Sequence, residues 1–220
     1  MLKVKKLRCE YKKNPLGIDV LSPRFSWQLE SDDRGIMQTA YQVQVSKGDD
    51  TFKNLVWDTG IVNSDKSVHI EYEGEALISR QRYYYRIMVW DNKGNVSGWS
   101  EPGFFETGLL DKKEWKAEWI TSSIYDDAQT SDICPLLRKD FSTAGKVRSA
   151  RVYATALGLY ELYINGSRVS DHLFTPGWTS YNKRLQYQTY DVTEMLKDGN
   201  NAIGAVLGNG WYKGNLVWAG

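Results

Sequence analysis

Four aromatic rings stand where a ring has little reason to be core. Trp178 and Tyr181 lie in Pro176-Gly-Trp-Thr-Ser-Tyr181, and Trp211 and Tyr212 in Gly208-Asn-Gly-Trp-Tyr212. Glycine-rich connections run over the surface, so rings held in them face a groove more readily than a core. An exposed indole or phenol lays its apolar face on a partner and keeps its polar edge for a hydrogen bond. These four residues are therefore candidates for carbohydrate contact or for packing against another module, and both readings stay open.

Other chemistry finds less to rest on. Carboxylates cluster at Asp32-Asp33, at Asp49-Asp50, at Glu71, Glu73 and Glu75, and at Asp126-Asp127. The three glutamates are expected on one strand face, where charge suits a solvated edge better than an acid–base pair. We assign no catalytic residue. His69 and His172 are the only histidines, and neither has a second ligand at metal spacing. Asp171-His172 offers at most a local pair. No metal and no cofactor is expected. Cys9 and Cys134 lie too far apart in sequence for a disulfide framework. Gly208-Asn-Gly is no phosphate cradle, because no helix is signalled after it and no Lys-Ser or Lys-Thr follows. Asn95-Val-Ser97 and Asn165-Gly-Ser167 match the glycosylation sequon, yet each asparagine sits where a tight turn wants one.

Composition narrows the partners. A formal net charge of +1 steers the chain toward neither nucleic acid nor an anionic membrane. Charged residues at 25 % and hydrophobic ones at 41 % are those of an ordinary folded protein. The start, Met1-Leu-Lys-Val-Lys-Lys6, is basic with no apolar stretch behind it, so no signal peptide is expected and a cytoplasmic site follows. A secreted or periplasmic protein that had lost its leader would read the same way.

The elements that must hold the four rings are strands. Tyr41-Gln-Val-Gln-Val45 alternates, and Arg82-Tyr-Tyr-Tyr-Arg-Ile-Met-Val-Trp90 alternates over a longer stretch, with Tyr83, Tyr85, Ile87 and Val89 on one face. Phe25–Leu29, Leu55–Trp57 and Val68–Tyr72 are expected as short strands, and Asp91-Asn-Lys-Gly94 as a turn. So many short strands predict a sandwich over residues 1–108. Leu77, six residues before Tyr83, with Ser97-Gly-Trp-Ser100 and Phe105-Glu-Thr107 after it, resembles a fibronectin type III or immunoglobulin-like domain with a tyrosine corner and Trp27 in its core.

Gly108–Trp115 breaks the alternation and marks a junction. Residues 109–220 then return to strands at Leu136–Phe141, Ala150–Ala156, Gly158–Ile164, Leu185–Tyr190 and Asn201–Leu207. Asn165-Gly166 is a type I′ hairpin turn, and Asp191–Lys197 is a short helix capped by Asp191. That order predicts a jelly-roll sandwich like those of galactose-binding modules. About six strands are visible where a full jelly roll has about eight, so the module is expected to be incomplete at its C-terminus. The whole chain is thus predicted all-β.

Three stretches together carry a family likeness. They are Leu7-Arg-Cys-Glu-Tyr with Asn14-Pro-Leu-Gly-Ile-Asp19 and Pro23-Arg-Phe-Ser-Trp27; Gln38-Thr-Ala-Tyr-Gln-Val43 with Trp57-Asp-Thr-Gly60; and Tyr163-Ile-Asn-Gly166 with Pro176-Gly-Trp-Thr, Tyr190-Asp-Val-Thr193 and Gly208-Asn-Gly-Trp-Tyr212. Their order resembles the N-terminal region of bacterial α-L-rhamnosidases. The resemblance implies a parent glycoside hydrolase that removes terminal α-L-rhamnose with inversion in an (α/α)₆ barrel beyond these β-modules. It implies partners in rhamnose-containing glycans or glycosides and in that barrel. It places no catalytic position in this chain, which is expected to be inactive alone; a free-standing carbohydrate-binding or adhesion module is the alternative.

Overall fold

Alternation over residues 3–106 becomes two facing sheets. The computed structural model describes residues 2–122 and 133–214, and the chain divides into one unit over Met1–Lys116 and another over Ala117–Gly220. In the first, β1 (Lys3–Cys9), β2 (Arg24–Glu30) and β5 (Ile70–Glu71) form a sheet in the order β1-β2-β5. The facing sheet runs β4-β3-β6-β7, from β4 (Leu55–Asp58), β3 (Gln38–Lys47), β6 (Arg82–Asp91) and β7 (Gly103–Glu106). All ladders are antiparallel. Phe25, Val43, Val45, Tyr85, Ile87, Val89 and Phe105 are wholly buried between the sheets. This is the immunoglobulin-like sandwich that the alternation predicts.

Its tyrosine corner is built as expected. The Ile78 amide donates to the Tyr83 hydroxyl at 3.0 Å, and the Tyr83 ring stacks on Phe105 at 5.2 Å. Trp27 is buried, and its indole N–H donates to Gln38 Oε1 at 2.9 Å. Gly103 is fixed by the Tyr85 ring, since a Cβ there would stand 2.8 Å from it. The Val68–Tyr72 strand is shorter than the alternation suggests. His69 takes a left-handed φ of 55°, so only Ile70 and Glu71 pair with β2. Glu73 and Glu75 therefore leave the strand, and the three glutamates share no strand face.

In the second unit, β10 (Leu159–Ile164) and β13 (Gly199–Gly208) form the middle of a sheet ordered β11-β10-β13-β8, with β11 (Ser167–Arg168) and β8 (Leu136–Thr143) outside. β12 (Gln188–Asp191) pairs with β9 (Arg151–Ala154) as a separate two-stranded sheet. The Asn165-Gly166 turn has φ of 51° and 82°, the double left-handed geometry of a type I′ hairpin. Ala156, Tyr160, Ile164, Tyr190 and Val192 make the core.

Two local expectations change. Asp191–Lys197 is not a capped helix but a single 3₁₀ turn over Thr193–Met195. The Asp191 carboxylate instead takes the amide and hydroxyl of Thr193 and an ion pair from Arg151 at 2.9 Å. Gly208-Asn-Gly, in turn, does open a helix, the one-turn α1 (Gly210–Lys213). Asp126-Asp127 lie outside the described residues. No helix of the described residues is long and apolar enough to cross a membrane.

Candidate functional site

The loop after β11 is pinned to β10 before it reaches Trp178. The Tyr160 amide donates to Thr175 O at 2.9 Å, and the Thr175 hydroxyl donates to Tyr160 O at 2.6 Å. The Tyr160 hydroxyl donates to Gln188 Oε1 at 2.7 Å, and Gln188 Nε2 donates to Pro176 O at 3.0 Å. Tyr190 shares the network, its hydroxyl 3.1 Å from that of Tyr160. Burial, then the Tyr190 hydroxyl, pushes the Tyr160 phenol far up, so it stays a neutral donor. A cavity of about 10 Å³ beside it has room for one water at most. The peptide before Pro176 is cis, Phe174 takes a φ of 57° and Gly177 one of 105°.

The second pair of rings is delivered by the end of β13. A Cβ on Gly158 would meet Gly208 O at 2.4 Å, and one on Gly210 would meet Leu159 Cγ at 2.6 Å. Only glycine at both places lets the Gly208–Gly210 turn pass against β10 and start α1, which carries Trp211 and Tyr212.

The structure brings all four sequence-derived candidates together. Trp178 and Trp211 lie parallel, 5.8 Å between centroids and 3° between planes. Tyr181 meets Tyr212 edge-on at 5.4 Å. Phe174 joins them, 6.0 Å from Trp211. Trp178 is 58 % exposed, Phe174 66 % and Tyr212 47 %. The Tyr181 hydroxyl is shut off from solvent and has no hydrogen-bond partner among the described residues. Sequence reasoning passes over Phe174, although its place just before Thr175-Pro-Gly177 is the same signal that singles out Trp178. Phe174, Trp178 and Tyr212 thus leave apolar surface exposed around the half-buried Trp211.

On the outer face of the four-stranded sheet lies a second feature, a 410 Å³ apolar groove. Its floor runs along Ala202, Gly204 and Val206 of β13, between Tyr163 and Leu136.

The titratable groups show what the chain does with its charges. Hydrogen bonds from Arg24 hold the Glu10 carboxyl below its usual value. Burial raises Asp58 and Asp91, but the amides of Gln42 and Gln44 for the one, and Asn95 for the other, more than offset it. Thr51 lowers Asp49, and Asp32 too lies below its usual value. Every carboxyl displaced among the described residues moves down, toward permanent ionisation. His172 packs on Tyr190 with ring centroids 6.0 Å apart, and no ion pair joins it to Asp171 among the described residues. Cys9 is buried, and burial followed by the Glu10 charge pushes its thiol far up; both cysteines are free. Asn165 spends its side chain on the Ala202 amide, Met195 O and Asn201, and Asn95 spends its own on Asp91. Both asparagines thus serve their turns.

The sequence matches two family descriptions. Residues 4–111 match "Rha78A-like, N-terminal immunoglobulin domain", and residues 145–220 match "Alpha-L-rhamnosidase N-terminal domain". An α-L-rhamnosidase of Formosa agariphila is 37 % identical over 94 % of this chain, and one of Alteromonas sp. is 37 % identical over 93 %. The chain spans 24 % and 23 % of their lengths. Among solved structures, the α-L-rhamnosidase of Dictyoglumus thermophilum superposes with a TM-score of 0.89 at 43 % identity, covering 96 % of this chain and 25 % of that one. The Streptomyces avermitilis α-L-rhamnosidase complexed with L-rhamnose gives 0.88 at 26 % identity, covering 100 % and 38 %.

Proposed function

The chain belongs to the α-L-rhamnosidases, with their N-terminal immunoglobulin domain at residues 4–111 and their N-terminal rhamnosidase domain at 145–220, and from that premise we propose that it is a non-catalytic front portion of such an enzyme. The parent removes terminal α-L-rhamnose from glycans or glycosides with inversion, in a barrel that these two modules support. Inverting hydrolysis needs one carboxyl raised to act as acid and a second, ionised one about 6.5–9.5 Å away to activate water. The observation that carries the proposal is coverage: the chain matches the two N-terminal domains and spans only 24 % and 23 % of the lengths of the α-L-rhamnosidases it is similar to. The displaced carboxyls among the described residues agree with it, since Glu10, Asp58, Asp91 and Asp49 are all shifted down, away from the acid's role. The ledge of Phe174, Trp178, Tyr181, Trp211 and Tyr212 is then the surface on which the rest of the parent packs.

The purified 220-residue chain is expected to release no aryl group from an aryl α-L-rhamnoside at any pH from 4 to 9. Turnover by sequence-verified protein would overturn the proposal. The parallel indoles of Trp178 and Trp211, the first exposed and the second half-buried, favour one second reading, a free-standing sugar-binding module. Titration with L-rhamnose separates the two: tryptophan fluorescence stays constant under the packing reading and shifts under the stacking reading.

A further inference from the structure

The chain is nearly neutral at +1, but the fold gathers cations onto one face. β1 is the outer strand of its sheet, and its register sets Lys3 against Glu30, Lys5 against Gln28 and Arg8 against Ser26, while Val4, Leu29, Cys9 and Phe25 belong to the core side. Directly paired residues share a face. Lys6, with a left-handed φ of 50°, sits in the bulge between Lys5 and Arg8. The bulge absorbs one extra residue, so Arg8 returns to the outward face of Lys3 and Lys5. Arg24 opposite Glu71 continues that face on β2. Lys3 and Lys5 stand about 7 Å apart, the repeat of alternate strand positions, and Arg8 follows beyond the bulge. Glu10 occupies Arg24 through bonds of 3.0 and 2.8 Å. Lys5, Lys6 and Arg8 have no ion-pair partner among the described residues.

An aromatic ring closes the row. Glu10 and Tyr11 form a two-residue turn, with paired 3.0 Å bonds between Cys9 and Lys12 and φ of 46° and 67°. Turns of this hand normally use Asn-Gly. Glu10 repays its strained backbone by binding Arg24, but Tyr11 is 65 % exposed. Its ring stands 5.2 Å from the Arg24 guanidinium and edge-on to His69 at 5.4 Å. Strain kept at an exposed side chain points to a use outside the fold.

We propose that this face binds a linear acidic polysaccharide, its anionic groups running along Lys5 and Arg8 and one of its sugar rings lying on Tyr11. A row of unpaired cations on an edge strand is complementary to an extended polyanion. The ring beside them discriminates a glycan, which offers an apolar C–H face, from a plain chain of charges.

Calorimetric titration of the 220-residue chain tests this, with polygalacturonate as the probe, dextran as a neutral polymer and polyglutamate as charge without sugar. Polygalacturonate is expected to bind at low ionic strength and dextran not. Physiological salt is expected to weaken binding about tenfold through loss of the counterion-release contribution. The K5E/R8E double variant should lose about tenfold or more, and K5Q/R8Q, with circular dichroism as a check of folding, should follow it. Tyr11→Ala should weaken polygalacturonate several-fold and leave polyglutamate unchanged. Absence of polygalacturonate binding at low salt, or binding indifferent to K5Q/R8Q, overturns the proposal. So does a Tyr11→Ala effect equal on both polymers, which would indicate an acidic protein surface instead. None of these outcomes bears on rhamnoside hydrolysis, so the two proposals fail separately.

Discussion

Glu10 shows how one side chain fixes the start of the first sandwich. Its carboxylate accepts the Arg24 amide at 2.7 Å and two guanidinium N–H groups, so it ties the β1 turn to the first residue of β2. Because its folded pKa is depressed, its contribution to stability is present above the unfolded carboxyl's value, about 4.3. That contribution is lost as pH falls through the lower folded value. Wild type is therefore expected to exceed Glu10→Gln in denaturant midpoint at neutral pH, with the gap closing in acid below about pH 4. A gap independent of pH would show that the carboxylate's charge is not what stabilises the turn. The pairing of Glu10 with Arg24 is invisible in sequence, since fourteen positions separate them. Four of the five ledge rings, by contrast, were legible one by one from the glycines around them; Phe174 and the mutual stacking of the rings were not.

Between residue and module lies the Tyr160 network, in which β10 positions a loop through one hydroxyl. Tyr160→Phe removes the donor to Gln188 Oε1 and leaves that acceptor in a part-buried place. An orphaned group of this kind costs about 1–3 kcal/mol. The variant should lose about that much in denaturant unfolding. It should also weaken the near-ultraviolet dichroism of the Trp178–Trp211 pair, because Gln188 no longer holds Pro176. Unchanged dichroism with lowered stability would separate the network from the ledge. Element positions were readable where side chains alternate, as in β3 and β6. They failed where backbone conformation decides. His69 cuts β5 short with a left-handed φ, and Thr193–Met195 tightens into a 3₁₀ turn because Asp191 is engaged by Thr193 and Arg151.

At the scale of the whole chain the two units are unequal. Eighteen buried residues make the core of the first, and five make that of the second among the described residues. Apolar burial is the main favourable contribution to folding. Two transitions are therefore expected in urea, the lower one reported by the Trp178–Trp211 near-ultraviolet signal. Residues 1–116 expressed alone should keep the upper transition. A single transition shared by all probes would contradict this.

Sequence by itself determined the class of fold, because period-two alternation admits only half-buried strands and large rings need two sheets to cover them. It also determined the family, through the order of short stretches such as Asn14-Pro-Leu-Gly17 and Pro176-Gly-Trp178. Tertiary structure alone decided where charge and rings gather. The total of +1 concealed a row of cations, because strand register and one bulge, not composition, choose the face on which Lys5 and Arg8 emerge. Likewise Trp178 and Trp211, thirty-three positions apart, meet only because glycines at 158 and 210 let two backbones approach more closely than any side chain allows.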